Sequence, residues 1–302
     1  MTLSITGRCP RTGRLGSAMC SDSFRWTYLP SLQASLEPAG LSVVVAGLGA
    51  VTAQASSPPT LTTGLIASLR ETSSAERTLG DVLARSDEGH RALYQIAVVD
   101  ANGGAAAFTG ERTLTWSGHA TGEGWVAAGN RLAGAGVVDA LAKTFVSSSE
   151  LELDERLLAA LAAGVTAGGD RQGHRGAALR VSGGSYVSSL DIRVHEHSDP
   201  IGELRRLLAA FQNETGIEPL AIRAFECTRA YVAQAELQAL AGAGVMDACS
   251  RIREALVERG APAEAVSAME ELIQALERAP DVAQFKFGDA MMLLSHFGGG
   301  EG

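Results

Sequence analysis

Short apolar runs separated by glycine-containing turns restrict the fold of this chain more than any other feature of its sequence. Glycine contributes 35 of the 302 residues, in clusters such as Gly168-Gly169 and without a collagen-like period. Turn signatures at Pro10–Gly13, Asn102-Gly103 and Gly183-Gly184 are each followed by another apolar run. Because such residues adopt the backbone conformations of tight turns, this spacing predicts several antiparallel strand pairs.

The predicted elements follow a regular order. Alternating apolar residues predict the strands, at 2–6, 15–20, 41–54, 94–99, 105–108, 177–181 and 186–194, with further short strands around Trp116 and Trp125. Apolar residues at helical spacing predict the helices, at 62–70, 75–85, 135–145, 150–163 and after 199, with about three more near the C-terminus. Residues 21–40 are predicted to form an extended loop. This order favours an α+β fold in which two antiparallel sheets stack between helical layers.

The character of the sequence changes near residue 215, after which the patterns are helical. We therefore expect two domains, a mixed domain at 1–214 and a helical C-terminal extension at 215–302. The amphipathic stripes of the extension must be buried against the mixed domain or against a second subunit, so we expect a homo-oligomer.

The composition argues against several classes of function. A net charge of −9 and a scarcity of lysine argue against a nucleic-acid partner. The longest apolar run, Leu41–Val51, is much shorter than the roughly 20 residues of a membrane helix, and no secretory signal is recognisable. The four cysteines lack C-x-x-C spacing, which predicts reduced thiols in a cytoplasmic protein. The P-loop, GxGxxG and G-x-S-x-G motifs do not occur, and we expect no cofactor.

The first six residues contain the leading candidate for chemistry. In a strand, Thr2, Ser4 and Thr6 share one face, while the apolar residues between them occupy the other. If Met1 is removed, Thr2 carries a hydroxyl nucleophile and a free α-amine on adjacent carbons, which is a nucleophile and base within one residue. The alternative is an ordinary edge strand that begins with a polar residue.

Other polar residues near glycine turns each have two interpretations. Asn130 can donate a hydrogen bond to a developing oxyanion or cap a helix. Asp170, next to Arg171, can orient an amine by charge pairing or form a surface ion pair of little energetic weight. His195 and His197 share a strand face and could bind a metal, but no third ligand is evident and we expect no metal site.

Several motifs follow one another between residues 2 and 210. They are Thr2-Leu3-Ser4-Ile5, Pro10-x-Thr12-Gly13-x-x-Gly16, Gly47-x-Gly49-Ala50-Val51-x-x-Gln54, Val98-Val99-Asp100-Ala101-x-Gly103, Thr109-Gly110, Trp116-x-Gly118-His119, Gly122-x-Gly124, Gly129-Asn130, Gly168-Gly169-Asp170-Arg171-x-Gly173, Ala177-Ala178-Leu179 and Asp191-x-Arg193-Val194-x-x-His197-x-Asp199-Pro200. In this order they resemble the N-terminal nucleophile (Ntn) hydrolase family called domain of unknown function 1028. The resemblance implies a four-layer αββα sandwich and hydrolysis of an amide bond. It does not identify the substrate.

The expected activity is therefore that of an amidohydrolase that cleaves the C–N bond of a small amide-type substrate. Thr2 is the expected nucleophile, Asn130 the oxyanion donor and Asp170 the group that orients the α-amine, with Ser4 as the fallback nucleophile. Six further polar residues are candidates for substrate binding: Ser21, Gln54, His119, Arg171, Asp191 and Arg193. Two alternatives are a non-catalytic binding or scaffold protein on the same fold, and a metal-assisted hydrolase that uses His195 and His197.

Overall fold

The computed structural model describes residues 2–22, 41–58, 60–182, 190–215, 220–221, 224, 227–228, 231–278 and 287. Met1, most of the predicted 21–40 loop and the predicted turn at 183–184 lie outside these residues. By residue contacts the chain divides into two compact units, 1–207 and 208–302.

The described part of the first unit is a mixed α+β structure with two antiparallel sheets. Its strands are β1 (Thr2–Arg8), β2 (Leu15–Ser21), β3 (Ser42–Val45), β4 (Gly49–Ala55), β5 (Tyr94–Asp100), β6 (Ala105–Thr109), β7 (Gly118–Gly122), β8 (Trp125–Gly129), β9 (Gly176–Ser182) and β10 (Leu190–Val194). The six-stranded sheet has the order β10-β9-β2-β1-β8-β7, and the four-stranded sheet has the order β3-β4-β5-β6. The opening strand β1 is therefore flanked by strands on both sides.

Nine helices are assigned within the described residues. They are α1 (Thr60–Thr72), α2 (Ala75–Arg85), α3 (Glu88–Arg91), α4 (Ala135–Ser147), α5 (Leu153–Thr166), α6 (Pro200–Thr215), α7 (Gln234–Ala239), α8 (Val245–Glu258) and α9 (Ala263–Glu277). Helices α1 and α2 contact the four-stranded sheet, whereas α4 and α5 contact the six-stranded sheet. The two sheets also contact each other, through β1 with β4 and β5 with β8 among other pairs.

Strand β1 is buried on both faces, and the predicted alternation decides what each face contacts. Leu3 and Ile5 are fully buried, and Leu3 lies beside Gly164 of α5, where a methyl group on the glycine would come within 2.9 Å of it. On the other face, Thr6 Oγ1 lies 2.9 Å from Thr52 Oγ1 of β4. Burial of a leucine or isoleucine side chain contributes about 1.5–3 kcal/mol, so the apolar face fixes the register of this strand.

The hairpin predicted at Asn102-Gly103 is confirmed, and Asp100 organises it. The Asp100 carboxylate accepts hydrogen bonds from the backbone N–H groups of Asn102 and Gly104, both at 2.9 Å. Its second oxygen accepts from the N–H of Ala75 at the start of α2, also at 2.9 Å. One buried side chain therefore closes the β5–β6 turn and satisfies a free donor of a helix N-terminus.

The run at 41–54 forms two strands, so the prediction of one central strand is wrong. Strand β3 pairs with β4 in antiparallel register, from Ser42 opposite Thr52 to Val45 opposite Gly49. The chain reverses between them, where Gly47 has a φ of +69°. A side chain at Gly49 would come within 2.6 Å of the Val99 carbonyl oxygen, so only glycine fits where β4 meets β5.

The second unit contains α7, α8 and α9, and α8 packs against α9. Its core includes Ile252 and Leu256 of α8 with Met269 and Leu276 of α9, all at most 1% exposed. The apolar stripe predicted in α9 therefore faces the interior of this unit. In the part of the chain that the structure describes, no helix combines the length and the apolar character needed to cross a membrane.

Candidate functional site

Thr2 is the first described residue and lies in the interior, with only 3% of its surface exposed. On one side it stands opposite Ser21 of β2. On the other side its carbonyl oxygen accepts a hydrogen bond from the backbone N–H of Asn130, at 3.0 Å. This bond continues the β1–β8 pairing, in which Leu3 stands opposite Gly129, by one further residue. Thr2, Ser21 and Asn130 therefore lie side by side at the same end of the six-stranded sheet.

Ser4, the fallback nucleophile, lies two residues further along the same face of β1. It is 1% exposed, and its Oγ has no hydrogen-bond partner among the described residues. A serine hydroxyl needs an adjacent base to become a nucleophile. The described surroundings of Ser4 do not supply one.

Three buried side-chain amides, from Gln54, Gln95 and Asn130, form what we call the amide cluster. Gln95 Oε1 accepts from Gln54 Nε2 at 2.7 Å and from Asn130 Nδ2 at 2.9 Å. All three residues are at most 1% exposed. The carbonyl oxygens Gln54 Oε1 and Asn130 Oδ1 are buried and have no partner among the described residues. In this arrangement one N–H of the Asn130 amide donates to Gln95, and its Oδ1 is the acceptor left without a partner.

Asn130 does not cap a helix, which excludes the structural alternative considered for it. Helix α4 begins at Ala135, and its N-cap residue is Gly134. The backbone N–H of Gly169 donates to Gly164 O at 3.1 Å, so it is not available to an oxyanion.

His119 connects to the amide cluster through a hydroxyl group. Its Nδ1 lies 2.8 Å from Thr109 Oγ1, which in turn accepts from Gln95 Nε2 at 3.0 Å. The Thr109 hydroxyl can therefore donate its proton to His119 Nδ1, which corresponds to the neutral imidazole. Burial lowers the pKa of His119, in agreement with that neutral form.

Asp170 forms its ion pair with Arg131 and not with Arg171, its neighbour in the sequence. Arg131 Nε and an Nη atom donate to the two Asp170 oxygens at 3.2 and 3.1 Å. The Asp170 side chain is 0% exposed, so the interpretation as a surface ion pair is wrong. Arg131 also approaches Asp22 to 2.5 Å, and we call these three side chains the Arg131 ion-pair group. Arg171 is exposed and donates its backbone N–H to Arg131 O at 3.2 Å.

Charges within the Arg131 ion-pair group stabilise one another. Burial raises the pKa of Asp22, but hydrogen bonds and nearby positive charge, including those of Arg131, outweigh it and leave the pKa below its ordinary value. Partial burial opposes the charge of Arg131, yet the two carboxylates raise its pKa overall. Next to the group, His174 Nε2 accepts from the Asp170 N–H at 3.0 Å. Burial lowers the pKa of His174, which keeps this acceptor nitrogen free of a proton.

Comparisons with known proteins show which family the chain belongs to. Residues 2–204 match the model of the family of unknown function DUF1028. The chain belongs to the DUF1028 family. Its structure is similar to the crystal structure of protein SPO2555 from Silicibacter pomeroyi, a protein of the same DUF1028 family. That similarity has a TM-score of 0.60 and 28% sequence identity, and it covers 70% of this chain and 89% of the other. A comparison with curated proteins gave no significant match.

Two of the predicted binding residues of this DUF1028 chain lie away from Thr2. Asp191 accepts two hydrogen bonds from Arg193, at 2.8 and 2.5 Å, and also pairs with Arg180 at 3.2 Å. Burial opposes ionisation of Asp191, but these two arginines lower its pKa. In the sheet order, β10 is separated from β1 by β9 and β2. Three strand spacings amount to about 14 Å, so the structure does not bring this pair to Thr2.

His195 and His197, the possible metal ligands, lie in the loop that follows β10. His197 Nδ1 bonds within its own loop, where it lies 3.0 Å from the N–H of Asp199. Among the described residues no group of three or more His, Cys, Asp or Glu side chains is arranged to hold a metal ion.

Two residues that sequence patterns missed are central to the site of this family member. Gln95 lies in a strand that is otherwise almost wholly apolar. The signal available in the sequence was this uncharged polar residue within an apolar run, because a polar side chain buried in a strand needs hydrogen-bond partners. Arg131 follows Asn130 directly, but its partners come from two distant segments. Its positive φ of +56°, uncommon for a residue other than glycine, can be recognised only in the structure.

Proposed function

We propose that this protein is an amidohydrolase of the N-terminal nucleophile type, which cleaves the C–N bond of a small amide-type substrate after removal of Met1. The observation that carries the proposal is the position of Thr2. It lies inside the six-stranded sheet, opposite Asn130 and Ser21, and next to buried polar groups rather than at a free sheet edge. A terminal threonine of this kind combines nucleophile and base within one residue.

The reaction would proceed in two stages. Thr2 Oγ attacks the carbonyl carbon while its proton passes to the α-amine, directly or through water. The tetrahedral intermediate then releases the amine product, which takes up that proton as the C–N bond breaks, and an ester remains on Oγ. Water attacks the ester with the α-amine as base, and the acid product leaves as the threonine hydroxyl is restored. An α-amine has an ordinary pKa of about 7.7–8.0, so an unprotonated fraction is available as the base near neutral pH and above it.

Thr2 is preferred to Ser4 because of what surrounds each hydroxyl. Ser4 Oγ has no partner among the described residues, so it would need a base that is not in place. Thr2 would carry its own base once Met1 is removed.

We also propose that the first unit is the four-layer αββα sandwich of Ntn hydrolases. Supporting this, α1 and α2 contact one sheet, α4 and α5 contact the other, and the sheets contact each other. A homo-oligomer and a cytoplasmic location remain part of the proposal, although the apolar stripe of α9 is already buried within the second unit. Light scattering that gives the mass of a monomer would count against the oligomer.

The proposed nucleophile can be tested with three variants. Mass spectrometry of the purified protein should show that Met1 is absent. Thr2→Ala should abolish turnover of a panel of small acyl amides, cyclic amides and ureas, whereas Thr2→Ser should retain part of it. Ser4→Ala is the matched control on the same strand face and should remain active.

Two results would contradict the proposal. Full activity of Thr2→Ala would exclude Thr2 as the nucleophile, and loss of that activity on addition of a chelator would then indicate the metal-assisted alternative. Retention of Met1, with no turnover of any amide in the panel, would favour a non-catalytic binding protein.

A further inference from the structure

The orientation of Gln95 follows from hydrogen-bond chemistry. Its Nε2 lies 2.8 Å from the carbonyl oxygen of Gly129 and 3.1 Å from that of Gly118. Carbonyl oxygens only accept, so this end of the side chain must be the NH₂ group and the opposite end must be the oxygen. Two backbone atoms therefore fix Gln95 Oε1 as an acceptor that faces Gln54 and Asn130.

The other two amides then have no freedom to flip. Both Gln54 and Asn130 must present their NH₂ groups to Gln95 Oε1, at 2.7 and 2.9 Å. Their own oxygens consequently point elsewhere. Asn130 Oδ1 is fully buried and without a partner among the described residues, although buried acceptors normally have one. A hydrogen-bond donor is missing beside Asn130.

Thr2 can supply that donor. The bond from Asn130 N–H to Thr2 O places these two residues opposite each other in an antiparallel pair. Side chains of opposite residues lie on the same face, with Cβ atoms about 5 Å apart. While Met1 is attached, the Thr2 nitrogen is an amide with one N–H. Removal of Met1 makes it an amine, which carries two or three N–H donors and creates a new need for acceptors.

We propose that Asn130 Oδ1 accepts a hydrogen bond from the α-amine of Thr2 in the processed chain, and that Gln95 is the positioning residue that fixes Asn130 for this contact. The inference rests on the proposed function, because it concerns the base of that reaction. It gives Asn130 an acceptor role toward the amine in place of a donor role toward an oxyanion. An acceptor favours the protonated amine, so the contact raises the pKa of the α-amine.

The test measures that pKa directly and needs no turnover. The chain is prepared with Thr2 as its first residue by cleavage of an N-terminal fusion. The rate at which an amine-reactive acylating reagent modifies the N-terminal peptide is followed by mass spectrometry from pH 6 to 10. Because fusion cleavage replaces cellular processing, a chain that hydrolyses no amide still tests the inference. Failure of the proposed function is therefore distinguishable from failure of this contact.

Asn130→Leu removes the acceptor at similar volume, so the pKa of the α-amine should fall by about 0.5 to 1 unit. Asn130→Asp places a negative charge there and should raise the pKa by about one unit or more. Gln95→Leu should act like Asn130→Leu, because the Asn130 amide is then free to turn. Thr6→Val, on the same strand face but outside the amide cluster, is the control and should leave the pKa unchanged.

Opposite shifts for the two Asn130 variants distinguish contact with the amine from a purely structural role, which would alter stability alone. An unchanged pKa in both Asn130 variants would overturn the inference. If Gln95→Leu leaves the pKa unchanged while Asn130→Leu lowers it, the positioning role of Gln95 is wrong. Should Asn130→Leu fail to fold, the nearly isosteric Asn130→Asp decides on its own, since the absence of a rise contradicts the contact.

Discussion

The Arg131→Met variant tests the ion pairs that Arg131 forms with Asp22 and Asp170. Methionine keeps an unbranched apolar stem but removes the guanidinium that joins Asp22 to Asp170. Both arginine and methionine carry a Cβ, so the cost of the positive φ at this position is similar in the two proteins. The measured effect should therefore come mainly from the lost ion pairs.

Burial decides how the effect divides between the two carboxylates. The Asp170 side chain is 0% exposed and loses both hydrogen bonds from Arg131, so that only the N–H of Gln172, at 2.9 Å, remains among its described donors. Removing one partner of a buried pair costs about 3–5 kcal/mol. Asp22 is 20% exposed, so water can replace part of what it loses. We expect a total destabilisation of about 3 kcal/mol, mostly from Asp170.

Urea unfolding followed by tryptophan fluorescence measures this change in the relevant unit, because Trp26, Trp116 and Trp125 all lie within residues 1–207. With an m-value of about 2 kcal/mol/M, the midpoint should fall by about 1.5 M. Adding Asp170→Asn removes the buried, unpaired negative charge and should recover at least half of the lost stability.

Arg171→Met is the matched control, since this neighbouring arginine is the partner that the sequence suggested. Its side chain is exposed, so the substitution should change stability by no more than about 0.5 kcal/mol. If Arg171→Met costs as much as Arg131→Met, or if the latter costs less than about 1 kcal/mol, the assignment of Arg131 as the essential partner of Asp170 is refuted.

Three further outcomes are expected. Thr6→Val should cost about 1–2 kcal/mol because it leaves the Thr52 hydroxyl without its partner, whereas adding Thr52→Val should restore most of the loss in urea unfolding. Gly16→Ala should destabilise the protein by about 1–3 kcal/mol, since the new methyl group would lie 2.7 Å from a backbone carbonyl oxygen. Gly80→Ala is the control: a methyl group at this position in α2 meets no atom within 4 Å beyond its chain neighbours and the backbone of its own helix, so the substitution should stabilise the protein by about 0.5–1 kcal/mol. Equal urea midpoints for the two variants would contradict the packing described. His174 has a lowered pKa because of burial, so the unfolded state takes up its proton first on acidification. Stability should fall as the pH drops below about 6.5, and His174→Gln should reduce that fall between pH 7.5 and 5.5 in parallel urea titrations.

The local elements of the fold could largely be predicted because their causes are local. Alternation in residues 2–6 identified the two faces of β1, and Asn102-Gly103 identified a hairpin. The sequence predicts one strand at 41–54 because apolar residues continue through the turn, and hydrophobicity alone cannot distinguish one strand from two. The left-handed backbone conformation at Gly47, which glycine adopts readily, marks the reversal.

The polar site could be predicted only in part, because its contacts depend on strand register and on distant segments. Thr2 and Asn130 were recognised individually, but their pairing needs the β1–β8 register. The neighbour of Asp170 in the sequence, Arg171, carries the right charge and is still the wrong partner. A buried carboxylate is satisfied by whichever cation the tertiary structure brings to it, and here that cation is Arg131.

Two different features of the structure would favour a protonated amine at Thr2. The Arg131 ion-pair group contains two carboxylates and one guanidinium, so it carries one net negative charge, and Asp22 directly follows the residue opposite Thr2. The amide cluster adds an uncharged acceptor, Asn130 Oδ1. Salt screens a charge that is partly exposed, as Asp22 is, far more than it weakens a buried hydrogen bond. The pKa of the processed amine should therefore fall only part of the way toward its ordinary value at high ionic strength, and the part that remains measures what the buried amide contributes.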